Sequence, residues 1–96
     1  MTTEEAITRL QEAGLHALAK AGNPLLILGG QGYEPPEAPD YIGMVTGHAF
    51  FVYVRGVGFE VQWMTGPQQS ERQDVQTLDE AVRLIIENVP ALPGAA

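Results

Sequence analysis

The residues in this chain that could do chemistry are two histidines, one serine and a set of carboxylates, and their spacing matches no reaction. His16 and His48 have no Cys, Asp or Glu at metal-ligand spacing, and a zinc site needs three or four such donors. Ser70 is the only serine and lacks the G-x-S-x-G turn that exposes a nucleophile. The adjacent carboxylates Glu4-Glu5 and Asp79-Glu80 each fall in the first turn of a predicted helix, where the positive end of the helix dipole accounts for them. Gly29-Gly30-Gln31-Gly32 follows a short apolar run, as a phosphate cradle would. It is followed by Tyr33-Glu34-Pro35-Pro36, not by the helix N-terminus and lysine that such a cradle needs. Glu34, Glu37 and Asp40 offer oxygen donors, but fewer and wider apart than a calcium loop requires. The pattern implies no catalytic residue, no bound cofactor and no metal.

What remains is recognition. Residues 48–64 carry five of the seven aromatic residues, and two runs rich in Val, Phe, Tyr and Trp read as a β-hairpin. A two-residue turn at Gly56-Val57 fits type II′, with glycine at its first central position. That register pairs Val54 with Phe59, Val52 with Val61 and Phe50 with Trp63, placing six apolar side chains on one face. A one-residue slip would set Val54 against Glu60 and Val52 against Gln62 and lose the segregation. The second face carries Phe51, Tyr53, Arg55, Gly58, Glu60, Gln62 and Met64. An apolar patch with aromatic and Met side chains and a polar rim is what a binding surface presents. The candidate protein-binding residues are therefore Phe51, Tyr53, Arg55, Glu60, Gln62 and Met64, with Tyr33, Glu34 and Glu37 from the adjoining loop.

The chain has 96 residues and a net charge of −7, from twelve acids against five bases. That length suits one domain. Arg9, Lys20, Arg55, Arg72 and Arg83 are scattered, whereas phosphate backbones are held by clustered bases, so direct nucleic-acid binding is not expected. Negative charge instead favours solubility and steers toward basic partners. There is no cysteine, which fits a reducing compartment and a cytoplasmic location. The first residues are acidic and lack a signal-peptide pattern, and no apolar run approaches a membrane span.

The elements that must position the hairpin follow from caps and periodicity. A helix over residues 2–21 starts on a Thr2–Glu5 capping box. Its apolar stripe would be Ile7, Leu10, Ala13, Gly14, Ala17, Leu18 and Ala21, with His16 on the polar side and Gly22 and Pro24 stopping it. Residues 25–28 read as a strand buried on both faces and central in the sheet, and residues 29–40 as a Gly- and Pro-rich loop. A second strand runs over 41–46, and Gly47-His48 forms a turn or bulge. Residues 65–70 read as a loop and 71–76 as a polar edge strand. The second helix opens on a Thr77–Glu80 capping box and buries Leu78, Ala81, Val82, Ile85, Ile86 and Val89. Asp79–Arg83 and Arg83–Glu87 are spaced as i,i+4 ion pairs, and Pro90 ends the helix.

The expected architecture is α+β and two-layered: a helix, four or five mostly antiparallel strands and a second helix, with both helices on one sheet face. Residues 1–90 make the single domain and 91–96 a flexible tail. The helix–strands–helix order is similar in outline to the double-stranded-RNA-binding fold. None of that family's basic residues is matched, so no RNA-binding role is carried over. The function expected is that of a small acidic, non-enzymatic protein-binding module, of inhibitor, immunity or phage-accessory type, that occludes a site on another protein with a basic surface. A structural homodimer or a subunit of a larger complex is the alternative. A third is a small-ligand binder or enzyme with a pocket under the Pro-rich loop, near His48 and Tyr41.

Overall fold

The register argued from parity is the register observed in a computed structural model that describes residues 1–20, 24–34 and 44–92. Phe50 pairs with Trp63, Val52 with Val61, Val54 with Phe59 and Arg55 with Gly58. Gly56 has φ +56°, as the first central position of a II′ turn requires. The elements are α1 (Thr3–Glu12), β1 (His16–Ala19), β2 (Leu25–Glu34), β3 (Met44–Arg55), β4 (Gly58–Gly66), β5 (Gln69–Val75) and α2 (Leu78–Asn88). The strands form one antiparallel sheet in chain order, β1-β2-β3-β4-β5. Both helices lie on one face of it and touch each other, α1 over β1 and β2, α2 over β4 and β5. The α+β two-layer arrangement is thus the one expected. Among the described residues no helix is long and apolar enough to cross a membrane.

The core forms between the helices and one sheet face. Phe50, Val52, Val61 and Trp63 are buried there with Ile27, against Ala6, Leu10, Ala81, Val82 and Ile85. Four of the six apolar side chains on the hairpin's inner face are therefore roofed. Phe59 is only partly buried, and Val54, near the hairpin tip, is 40% exposed. Full burial of a large apolar side chain contributes about 1.5–3 kcal/mol, so the roofed four anchor the sheet.

The first helix is shorter than its periodicity predicts. It ends at Glu12, and residues 16–19 form an edge strand. The stop is Gly14, at φ +87°. Its N–H donates to the Gln11 carbonyl (3.0 Å), and the Leu15 N–H donates to the Leu10 carbonyl (3.1 Å). That is the Schellman pattern, and the accompanying apolar contact is supplied by Leu10 and Leu15, both buried. His16 and Leu18 therefore belong to a strand, not to a helix surface. Gly22, the stop expected from sequence, lies outside the described residues. At the other end of α1 the capping box is complete: Glu5 N–H donates to Thr2 Oγ1, and Thr2 N–H donates to Glu5 Oε1, both at 3.1 Å.

Strand β2 also departs from expectation. It runs on from Leu28 through Gly29, Gly30 and Gly32 to Glu34, where a loop over 29–40 was expected; residues 35–40 lie outside the described residues. The glycines are explained by what lies across from them. A Cβ on Gly29 would overlap the ring of Phe50 and the His16 carbonyl, and one on Gly30 would sit 3.1 Å from the Thr46 carbonyl and 3.2 Å from Val45 Cβ. β2 is second from the sheet edge and not central, and Leu25 and Leu28 are only half-buried. Residues 41–43 of the expected second strand also lie outside the described residues, and Met44–Thr46 belongs to β3.

Gly47-His48 forms a bulge. Gly30 pairs with Ala49 and Gly32 with Thr46, so Gln31 alone faces two residues, and Gly47 has φ +74°, as such a bulge needs. Gln31 fills the break. Its Oε1 accepts the His48 N–H (2.9 Å) and its Nε2 donates to the Pro90 carbonyl (2.8 Å), which ties the bulge to the end of α2.

The expected loop over 65–70 is a tight hairpin, with Gly66 paired to Gln69 across Pro67-Gln68. Strand β5 lies at the sheet edge and is polar, as read from the sequence. In α2, Thr77 Oγ1 accepts the Glu80 N–H (3.1 Å). The Glu80 carboxylate accepts the Thr77 hydroxyl (3.3 Å) and not its backbone N–H, so this capping box is half formed. Ile86 is 39% exposed instead of buried. The two i,i+4 ion pairs do not form; Asp79 reaches Arg9 of α1 at 3.8 Å, an exposed pair worth about 0–1 kcal/mol.

Candidate functional site: the open sheet face

Strand alternation turns every residue between the core positions outward, away from the helices. Cross-strand pairing sets the outward residues at the centre of the face in two adjacent rows. One runs Leu18–Leu28–Phe51–Gln62–Arg72 and the other Leu25–Tyr53–Glu60–Asp74. The face is therefore apolar over β1–β3 and polar over β4–β5. Among the described residues no secondary-structure element covers it. Leu18 is 41% exposed, and Leu25, Leu28, Phe51, Tyr53, Gln62 and Met64 are half-buried by their neighbours within the sheet.

The centre of the face is ordered by its own contacts. The Phe51 and Tyr53 rings stack with centroids 6.2 Å apart and planes at 22°. The Arg55 guanidinium lies 5.0 Å from the Tyr53 ring centroid, and its Nη2 is 3.6 Å from Glu60 Oε1. A cation over an exposed aromatic ring contributes about 0.5–1 kcal/mol. Gln62 Nε2 donates to Ser70 Oγ at 3.1 Å. Glu60 stands directly opposite Asp74, a like-charge cross-strand pair that is unfavourable by itself; Arg55 offsets it on one side.

The structure brings together six of the nine residues singled out from sequence: Phe51, Tyr53, Arg55, Glu60, Gln62 and Met64. Tyr33 and Glu34 are not in the loop expected for them but on β2, and they lie away from that group. Tyr33 is five residues along β2 from Leu28, the partner of Phe51, or about 16 Å at about 3.3 Å per residue. Tyr33 stacks instead on His16, with centroids 5.9 Å apart. Glu37 lies outside the described residues. Sequence reading missed Leu18, Leu28, Arg72 and Asp74. His16-Ala17-Leu18-Ala19 shows no alternation of apolar and polar residues, so no local signal places Leu18 on a strand.

Little else among the described residues has the makings of a site. A shallow cleft of about 360 Å³ is lined by Gly47, His48, Met64, Gly66, Pro67 and Gln68. It offers one imidazole and no carboxylate or hydroxyl side chain. Tyr41, the other residue expected near this pocket, is outside the described residues. Among the described residues no polar or charged side chain is buried, and no three His, Asp or Glu converge as metal ligands would.

Fold and face together define a class: a small antiparallel sheet with a two-helix roof on one side and, among the described residues, an aromatic surface without a roof on the other. No protein-family model matches the chain, and neither a curated protein nor a solved structure matches it.

Proposed function

We propose that this protein is a non-enzymatic binding module that acts in the cytoplasm by laying its open sheet face over a site on another protein. The observation that carries the reading is the contiguity of Leu18, Leu28, Phe51 and Tyr53 across three neighbouring strands, rimmed by Arg55, Glu60, Gln62 and Arg72. Scattered apolar residues are normal on a surface; a connected group with a polar rim is the mark of an interface. Aromatic and Arg side chains are also the types that dominate binding energy when a partner dries them. The net charge of −7 favours encounter with basic surfaces and raises the association rate at low salt.

The test is affinity capture from the source cells with wild-type protein, a Phe51→Ser/Tyr53→Ser variant and an Ile86→Ser control on the exposed side of α2. A partner held by wild type and control and lost by the double variant supports the proposal. Equal capture by all three would place the interface elsewhere and overturn it.

A further inference from the structure

We infer that in isolation the open face is occupied by a second copy of this chain, the two sheets packing face to face about a two-fold axis that runs across the strands. The inference rests on the reading of this face as a protein-binding surface, and names its occupant when no other partner is present.

Among the described residues, charge distribution favours a copy on this face over the surface of either helix. A two-fold interface sets a patch against itself, so a patch of one sign repels its copy. Helix α1 carries Glu4, Glu5 and Glu12 against Arg9, and α2 carries Asp79, Glu80 and Glu87 against Arg83. Both are net acidic, like the chain as a whole. The open face carries Arg55 and Arg72 against Glu60 and Asp74, and is neutral.

The arrangement of those charges specifies the axis. An axis midway between the two rows lays each row on the other row of the second copy. Leu28 then faces the second copy's Leu25, and Phe51 its Tyr53. Gln62 faces its Glu60, and Arg72 its Asp74. Each contact occurs twice. Apolar meets apolar, an amide meets a carboxylate and a guanidinium meets a carboxylate, so the charge left over by the Glu60–Asp74 pair is matched. Packed sheets sit about 10 Å apart and cross at about 30°, an offset that the long Arg72 side chain at the β5 edge spans.

The area is sufficient for a reversible dimer. Five strands about 4.8 Å apart and six residues of about 3.3 Å give a face of about 24 by 20 Å, so that closure covers about 1,000 Å² in total. That is the lower end for a specific interface, and a partner with a better fit displaces the copy.

Analytical ultracentrifugation from low to high micromolar concentration tests the inference. Wild type is expected to rise from a mass of 10.3 kDa toward twice that value. Arg72→Asp and Asp74→Arg, at exposed edge positions, are each expected to weaken the dimer at least fivefold. The double swap Arg72→Asp/Asp74→Arg restores the pairing between rows and is expected to recover wild-type association. Tyr53→Lys, checked by circular dichroism for folding, is expected to be monomeric. A wild-type monomer at the highest concentration overturns the inference, as does a dimer indifferent to these substitutions. A monomer whose capture of another protein still depends on Phe51 and Tyr53 would overturn the dimer and leave the binding-face reading standing.

Discussion

Replacing Gly29 with alanine should destabilise this protein more than any other single added methyl group at the glycines of its sheet. The added methyl would lie 2.6 Å from Phe50 Cε1 and closer still to Cζ, where carbon atoms prefer about 3.5–4.0 Å. Phe50 cannot yield easily, because its side chain is fully buried in the core beneath the helices. The His16 carbonyl on the other side belongs to the β1–β2 ladder. Overpacking of this kind costs about 1–3 kcal/mol, and alanine recovers about 0.4–1 kcal/mol by restricting the unfolded chain. Because the methyl overlaps two neighbours that cannot move, the upper end of the overpacking range applies, and the net loss should be about 2 kcal/mol, or a fall in Tm of about 8–16 °C for a domain of this size. Circular dichroism and the fluorescence of Trp63, the single and buried tryptophan, should report the same transition if unfolding is two-state. Gly56→Ala is the matched control: no atom lies within 4 Å, but φ is +56°, so it isolates backbone strain of about 1–2 kcal/mol. In a Phe50→Leu background the cost of Gly29→Ala should shrink, because the two sites share the contact. A Gly29→Ala protein melting within about 2 °C of wild type would show that β2 does not run beneath Phe50, and would restore the loop reading of this segment.

Two further outcomes follow from backbone and charge. Gln68 has φ +59° in the β4–β5 turn, after Pro67, a position suited to glycine. Gln68→Gly should therefore raise stability by about 0.5 kcal/mol, the relief of strain exceeding the entropy lost; a lower urea midpoint would contradict this. The Glu5 carboxyl is held below its ordinary 4.5, first by the Thr2 backbone N–H, then by the Thr2 side chain, with a smaller contribution from the N-terminal ammonium. A carboxyl depressed on folding contributes stability above its unfolded pKa and loses it as pH falls through the folded value. The advantage of wild type over Glu5→Gln should be present at pH 6 and shrink as pH falls below 4.5, measured by urea unfolding across that range; an advantage independent of pH would refute the assignment.

How much of this fold can be read from sequence depends on whether the deciding partner is local. The β3–β4 hairpin was legible because its turn glycine and its period-two pattern lie within one short segment, and the ends of α2 because Thr77 and Pro90 mark them. The end of α1 was not. Leu15-His16-Ala17-Leu18-Ala19 is made largely of good helix formers, and its apolar residues satisfy a helical stripe. Pairing with residues 27–30 of β2 decides otherwise. The same holds for Gly29 and Gly30. Local rules read a glycine cluster as a loop, whereas the reason for these glycines is the space occupied by Phe50, Val45 and the Thr46 carbonyl, from a later strand.

The candidate site shows the same division. Phe51, Tyr53, Glu60, Gln62 and Met64 follow from parity once the hairpin register is known. Leu18, Leu28, Arg72 and Asp74 join them only when the strand order is known, because three separate strands bring them into the two rows. Strand order also supports the proposal that this is the surface used for recognition. The β5 edge carries Glu71, Arg72 and Asp74 and resists strand addition, and the β1 edge is four residues long. The helical layer is acidic on both helices. Adjacent residues Phe50 and Phe51 divide the labour: the first is fully buried and holds the roof to the sheet, and the second, one peptide further on, turns to the side away from the helices. Stability thus draws on one face of the sheet, and in the proposed reading the aromatic residues of the other face serve a partner without weakening the core.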